Sequence, residues 1–179
     1  MESAAAVPAL GFSGEASCWY AIHTVARHEK RIDQQLQESR VITFLPLVHE
    51  IRQWSDRLSK VEVPLFSCYV FVHVAQTAEE RLRVLRTPGV LGFVGSKRIG
   101  TPIPGDQIQN LQTAIRENMP FSSHPYLTVG KRVRIRGGAL EGIEGILVRQ
   151  GTEQSLIVSV ELLQRSVSIR VEGYHVELA

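Results

Sequence analysis

Cysteine is nearly absent from this chain of 179 residues, which has only Cys18 and Cys68. The two do not fall at metal-ligand spacing, and one pair in a chain of this size makes no disulfide scaffold, so both are expected as ordinary thiols. Long apolar runs are missing too. The longest, around YVFVHV (69–74), contains a histidine and falls well short of the roughly 20 residues that cross a bilayer, so no membrane partner is expected. The opening MESAAAVPALGFSGEAS lacks a basic stretch and carries an acid at its second position. It reads as a disordered tail over 1–16 and not as an export signal, which makes a cytoplasmic protein the expectation. Nor is there an excess of charge of one sign. Twenty Lys and Arg against 18 Asp and Glu leave a formal net charge of +2, too little to hold nucleic acid by counterion release alone. Any nucleic-acid contact has to be local and assisted by another binder.

Catalytic signatures are lacking as well. The six histidines, at 23, 28, 49, 73, 124 and 175, are scattered, and none sits at the helical i, i+4 spacing with another metal ligand. There is no nucleophile elbow and no phosphate loop, and the glycines of GVLGFVG (89–95) have the wrong spacing for a dinucleotide turn. Cys68 and His73 are five residues apart on a strand and so point to opposite faces, which disfavours a nucleophile pair. No enzyme, no cofactor and no metal site are expected.

What the chain does have is a hydrophobic fraction of 44%, enough for real cores in one ordinary domain or two small ones. WYAIHTV (19–25) is aromatic and β-branched and reads as a strand. HEKRIDQQLQESR (28–40) is charged, with Ile32 and Leu36 one turn apart, and reads as a helix. Two β-prone runs, TFLPLVHEIRQW (43–54) and VEVPLFSCYVFVHV (61–74), are joined by the polar SDRLSK. A second helix fits TAEERLRVLRT (77–87), with Ala78, Leu82 and Leu85 on one face and Pro88-Gly89 as its stop. VLGFV (90–94) is a further strand. GDQIQNLQTAIREN (105–118) is a third helix, with Ile108, Leu111 and Ile115 along one side. The order β-α-β-β-α-β with a trailing helix predicts a ferredoxin-like, split βαβ domain within an α+β chain, its helices covering one sheet face only.

MPFSSHPYLTVG (119–130) has no sustained period and reads as linker. Beyond it come closely spaced short strands, KRVRIR, IEGILVRQ, SLIVSVELL, RSVSIRVE and YHVEL, which suggest a small barrel that hides its own edges. Between the first two strands stand glycines at 137, 138, 142 and 145. Gly137 and Gly138 suit a turn, Gly142 a positive φ, and Gly145 a close approach of two backbones. Leu140, between these glycines, is expected to be presented at the loop tip as an exposed hydrophobe.

VGKRVRIRGGALEGIEGILV (129–148) resembles a KOW motif. WYAIHTVARHEKRI, PLFSCYVFV and RTPGVLGFVG, in that order, resemble the NGN domain of NusG-type transcription elongation factors. The likeness runs from Trp19 to about Glu177, and SVELLQRSVSIRVE with GALEGIEG is closer to specialised paralogues of the RfaH, UpxY or LoaP sort than to housekeeping members. Two departures stand out. The housekeeping Phe-Pro-Gly-Tyr entry into the third strand is Phe66-Ser67-Cys68-Tyr69 here, and the aromatic at the KOW loop tip is Leu140. The resemblance implies a disordered tail at 1–16, an NGN domain at 17–117, a linker at 118–126 and a KOW barrel, SH3-like or Tudor-like, at 127–179.

Strict alternation over 69–74 places Val70, Val72 and Val74 on one face and Tyr69, Phe71 and His73 on the other. If the valines pack under helices, the ring-bearing face is an open apolar hollow suited to a partner helix; alternatively these rings are simply core. The resemblance supplies the partner, the clamp-helix coiled coil of the largest subunit of bacterial RNA polymerase. It adds Phe93 and His23 to Tyr69, Phe71 and His73 as the polymerase-binding set, with Phe66 as core or hairpin support. Arg27, Lys30 and Arg31 read as a solvated helix face. In the family, that neighbourhood approaches non-template DNA at the upstream fork, which makes them candidate phosphate contacts. Residues Glu80 to Arg83 align with the loop by which RfaH touches the opposite jaw, but the His-Thr-Thr-Thr sequence is absent. For the barrel, Leu140, Gly138, Gly142 and Gly145 are the candidate binding loop for a second factor, either the small ribosomal-subunit protein NusE or Rho. The resemblance thus implies a monomeric elongation and antitermination factor. The competing reading is a ribosomal or RNA-binding KOW protein, which would be more basic than this chain. The β-branched density of LIVSVELL and SVSIRV favours strands in the barrel over helices.

Overall fold

The computed structural model describes residues 17–53, 58–95, 99–117, 119, 121–124, 130–150, 153–171 and 174–179. The expectation for the tail at 1–16 lies outside them. Among the described residues no helix is long and apolar enough to cross a membrane.

The first half runs β1 (Ser17–Thr24), α1 (Glu29–Glu38), β2 (Ile42–Phe44), β3 (Leu47–Gln53), β4 (Leu58–Pro64), β5 (Tyr69–Ala75), α2 (Ala78–Leu85), β6 (Val90–Phe93) and α3 (Gly105–Arg116). The four-stranded sheet has the order β2-β5-β1-β6 with antiparallel neighbours throughout, which is the strand order of a split βαβ fold. Each of the two long β-prone runs divides in two. Pro46 separates β2 from β3, and the turn Leu65–Cys68 separates β4 from β5. A proline has no N–H for a ladder, so each run changes sheets where one stands. The outer portions pair as a separate hairpin, β3 with β4. The Leu65 N–H donates to the Pro46 carbonyl at 2.8 Å, tying the hairpin's base to the sheet.

On one sheet face Tyr20, Ile22, Val70, Val72 and Val74 pack against Ile32 and Leu36 of α1 and Val84 of α2. Each fully buried aliphatic chain there contributes about 1.5–3 kcal/mol. Helix α2 uses a different stripe from the one its sequence suggests, since Leu82 and Leu85 are exposed and Val84 is the buried position. Arg81, one turn before Val84 on the same side, donates from its guanidinium to the carbonyls of Ile99 at 3.2 Å and Gln76 at 3.3 Å. The opposite sheet face is not bare, contrary to expectation. Ala21 and Phe71 share one continuous apolar cluster with Ile108, Leu111 and Ala114 of α3, so a helix lies over that side too.

The second half is a six-stranded antiparallel sheet, ordered β12-β8-β9-β10-β11-β7. Its strands are β7 (Phe121–His124), β8 (Lys131–Arg136), β9 (Glu144–Gln150), β10 (Glu153–Val160), β11 (Arg165–Arg170) and β12 (His175–Leu178). Residues 118–126, expected as linker, supply β7, which pairs along β11 from Phe121 against Ile169 to His124 against Ser166. The linker therefore gives part of itself to the barrel's exposed edge, satisfying backbone groups that β11 would otherwise leave open. Val133, Ile135, Leu156, Val158, Val167 and Ile169 alternate inward to form the barrel core. Ile157, on the other pleat of β10, is also buried, where α3 packs on β10. Gln107 accepts the Glu161 N–H at 3.1 Å, and Asn110 donates to the Glu144 carbonyl at 3.4 Å. Helix α3 is thus the element shared by the two halves.

Candidate functional site

Pairing of β1 with β5 sets Trp19 opposite His73, Ala21 opposite Phe71, and His23 opposite Tyr69. Pairing of β2 with β5 adds Ile42 beside His73 and Phe44 beside Phe71. Directly opposed residues share a sheet face, so these positions form one ring-rich surface. Its rings meet in two groups, His23 with Tyr69, and Trp19, His73, Phe44, Phe71 and Phe66 together. Trp19 and His73 have centroids 5.0 Å apart, His23 and Tyr69 5.5 Å, and Phe44 and Phe71 6.0 Å in a stacked arrangement; Phe66 meets Phe71 edge-on at 6.0 Å.

The hollow expected at the centre of this face is filled. Phe71 is fully buried, held between Phe44 and Phe66 in the cluster that includes α3. What solvent reaches is the rim: His23 is exposed, Tyr69, Trp19 and His73 are half-buried, and Ile42 is 62% exposed. Beside His23 lies Gly92, its register partner on β6, where an added Cβ would meet only open space. Phe93 does not belong to this surface. It pairs with Ile22, meets Tyr20 edge-on at 5.7 Å and is buried under the helices on the other face. The alternation of β6 decides this, since Phe93 follows Gly92, the residue in register with His23. Burial also raises the phenol of Tyr20 above its ordinary 10.0, against the opposing effect of a hydrogen bond with Gln76.

Sequence reasoning passed over Trp19, Ile42 and Phe44. Trp19 was legible, because it shares parity with His23 on one strand. The other two were hidden by the break at Pro46.

Arg27, Lys30 and Arg31 are exposed around the start of α1. Arg27 adopts a left-handed φ of 64° in the turn before the helix. Lys30 forms an ion pair with Glu62 of β4 at 3.3 Å, and His49 of β3 lies 3.6 Å from the same carboxylate. A pair this exposed contributes about 0–1 kcal/mol. Between these cations stands Glu29, a buried carboxylate whose Oε1 accepts the Cys68 N–H at 2.8 Å. Its burial is not legible from the chain, because Glu29 sits in a run of solvated charge.

In the barrel loop Leu140 is fully buried and joins the barrel core, so it is not the exposed tip residue that was expected. Positive φ values at Gly137, Gly138 and Gly142 curl the loop inward. The Gly142 N–H donates to the Ile135 carbonyl at 2.9 Å, and the Ile143 N–H to the Leu140 carbonyl at 3.2 Å. At Gly145 a Cβ would lie 2.4 Å from the Ile157 carbonyl oxygen, so this glycine is required by the approach of β9 to β10. Two of the four cations of the basic strand β8 are paired with carboxylates of its neighbours. Arg134 donates to Glu144 and Arg136 to Glu177, and in register Arg134 lies between Glu144 on β9 and Glu177 on β12. Among the described residues no group of three or more His, Cys, Asp or Glu is placed to hold a metal ion.

A family model described as "Transcription termination factor nusG" matches residues 17–112. The chain is 26% identical over 180 residues to the transcription termination/antitermination protein NusG of Lactococcus lactis subsp. lactis (strain IL1403), covering 89% of this chain and 91% of that protein. It is 28% identical over 174 residues to the protein of the same name from Staphylococcus carnosus (strain TM300), covering 89% and 94%. The solved structure described as "Domain interaction in Thermotoga maritima NusG" is similar with a TM-score of 0.48 at 22% identity, over 86% of this chain and 92% of that one.

Proposed function

The chain belongs to the NusG family of transcription factors, and from that premise we propose that it is an elongation and antitermination factor that grips RNA polymerase through the rim of its ring-bearing sheet face. The partner is the tip of the clamp-helix coiled coil in the largest subunit. The observation that carries this reading is the His23–Tyr69 and Trp19–His73 pairing along one face, with Ile42 exposed beside it. Half-exposed rings offer apolar area at little entropic cost, and a coiled-coil tip is the shape that such a row accommodates. Phe71 supports the row from below. The rim is accessible even with the barrel resting on α3, so contact requires no prior separation of the two halves.

Binding that favours a closed polymerase clamp over an open one disfavours pausing by the difference in affinity for the two states. No chemical step is involved, and the protein acts as a monomer in the cytoplasm. Arg27 and Arg31, exposed at the start of α1, would touch phosphates of the non-template strand at the upstream fork, while Lys30 is engaged with Glu62. The barrel would recruit a second protein, the small ribosomal-subunit protein NusE or Rho, through the backbone-rich loop around Gly138 and Gly142. Leu140 and Gly145 hold that loop's shape and make no contact. The Ser67-Cys68 departure suits a specialised paralogue serving a subset of transcripts. The alternative of an RNA-binding KOW protein is less well supported, because Glu144 and Glu177 already occupy Arg134 and Arg136. Capture of purified bacterial RNA polymerase tests the reading. The wild-type chain should retain polymerase and the His23→Ala, Tyr69→Ala double variant should lose most of it; equal retention would refute the assignment.

A further inference from the structure

We infer that Glu29 is a positioning residue for the polymerase-binding rim, coupling the basic start of α1 to the turn that delivers Tyr69; this rests on the function proposed above. Cys68, immediately before Tyr69, has a φ of 69°. A side-chain-bearing residue is strained in that region by its Cβ, so the turn persists only if something holds it. Besides the turn's own bond from the Tyr69 N–H to the Phe66 carbonyl at 3.3 Å, two contacts at Cys68 do so. The Cys68 carbonyl accepts the Thr24 N–H at 2.9 Å, and the Cys68 N–H donates to Oε1 of Glu29 at 2.8 Å. The second bond runs between residues 39 apart in sequence and ends on a carboxylate that is only 4% exposed.

Burying a carboxylate is costly unless it is paired or hydrogen-bonded, and a carboxylate accepting a backbone N–H makes one of the stronger bonds available to it. Glu29 lies in the first turn of α1, where the helix dipole favours negative charge. It faces inward while its neighbours Lys30 and Arg31 face solvent. One side chain therefore helps to fix the peptide that enters β5, and with it the direction of Tyr69, whose ring lies 5.5 Å from that of His23 across the strand pair, tilted by 38°. The same residue fixes where Arg27 and Arg31 stand relative to that rim. On this reading the polymerase contact and the DNA contact share one rigid mount.

The test measures the affinity of the full chain for purified RNA polymerase, alongside amide hydrogen exchange at Cys68. Glu29→Ala should weaken binding about tenfold, the order expected for losing a hydrogen bond to a charged acceptor, and should speed exchange at the Cys68 N–H. Glu29→Gln, whose side-chain carbonyl can still accept that N–H, should bind within about twofold of wild type. Ile32→Val, which loosens the same helix without touching the turn, controls for general destabilisation and should bind normally. If Glu29→Ala binds as wild type while Tyr69→Ala binds weakly, the positioning role is wrong and the rim assignment stands. If Ile32→Val weakens binding as much as Glu29→Ala does, the effect is ordinary stability and the inference fails. If Tyr69→Ala binds as wild type, the rim assignment fails and the inference falls with it.

Discussion

Tyr20 and Phe93 meet edge to face with ring centroids 5.7 Å apart, on the side of the sheet that α1 and α2 cover. Gly100 closes over them, since a Cβ there would lie 3.0 Å from the Tyr20 ring and 3.1 Å from Phe93. Phe93 is therefore a core residue, and its truncation should be felt as instability. Phe93→Ala is expected to cost about 3–5 kcal/mol, visible as a clear fall in the thermal midpoint. At a temperature where the variant is still folded, its affinity for polymerase should match wild type. A selective loss of affinity without loss of stability would return Phe93 to the binding face.

Leu140 behaves in the same way within the barrel. Its side chain is wholly buried, so Leu140→Ala should destabilise the barrel by about 2–5 kcal/mol. Leu140→Glu should unfold it, because an unpaired carboxylate cannot be held there. Circular dichroism melting checks both variants. A stable Leu140→Glu protein that has lost only its second partner would show that the leucine is a surface contact after all.

Cys68 offers a prediction of opposite sign. Glycine at a left-handed position relieves Cβ strain but raises the entropy of the unfolded chain. The strain is the larger quantity, so Cys68→Gly should stabilise the chain by about 0.5–1 kcal/mol. Urea unfolding would register this as a higher midpoint with an unchanged slope. A lower midpoint would mean that the Cys68 thiol contributes packing that outweighs the backbone gain.

Much of the fold was legible in the chain, and the reasons are local. The valines of YVFVHV alternate without a break, so their sharing one face followed from period, and the structure puts that face under α1 and α2. Ile32 and Leu36, one turn apart, identified the buried stripe of α1. Gly137 and Gly138 announced a turn, Gly142 a positive φ and Gly145 a close backbone approach, and the structure has all three, with positive φ at 137 and 138 as well. What sequence period could not supply was the third dimension. Leu82 and Leu85 looked buried because helical period alone does not say whether that stripe or the one carrying Val84 faces the sheet. Phe71 looked open because nothing in β5 says that Phe44, Phe66 and α3 will close over it. Leu140 looked exposed because a loop flanked by glycines gives no hint of which way it curls. Glu29 was invisible because its role depends on a partner 39 residues away.

The central claim is that the rings left accessible on β1 and β5 are where polymerase lands. The most direct measurement is side-chain and amide chemical-shift mapping of the full chain on titration with a clamp-helix coiled-coil fragment of the polymerase largest subunit. Saturable shifts are expected at Trp19, His23, Ile42, Tyr69 and His73, with Tyr20 and Phe93 unmoved. Shifts centred instead on the outer faces of α1 and α2, around Leu82 and Arg86, with the β1–β5 rings silent, would contradict it.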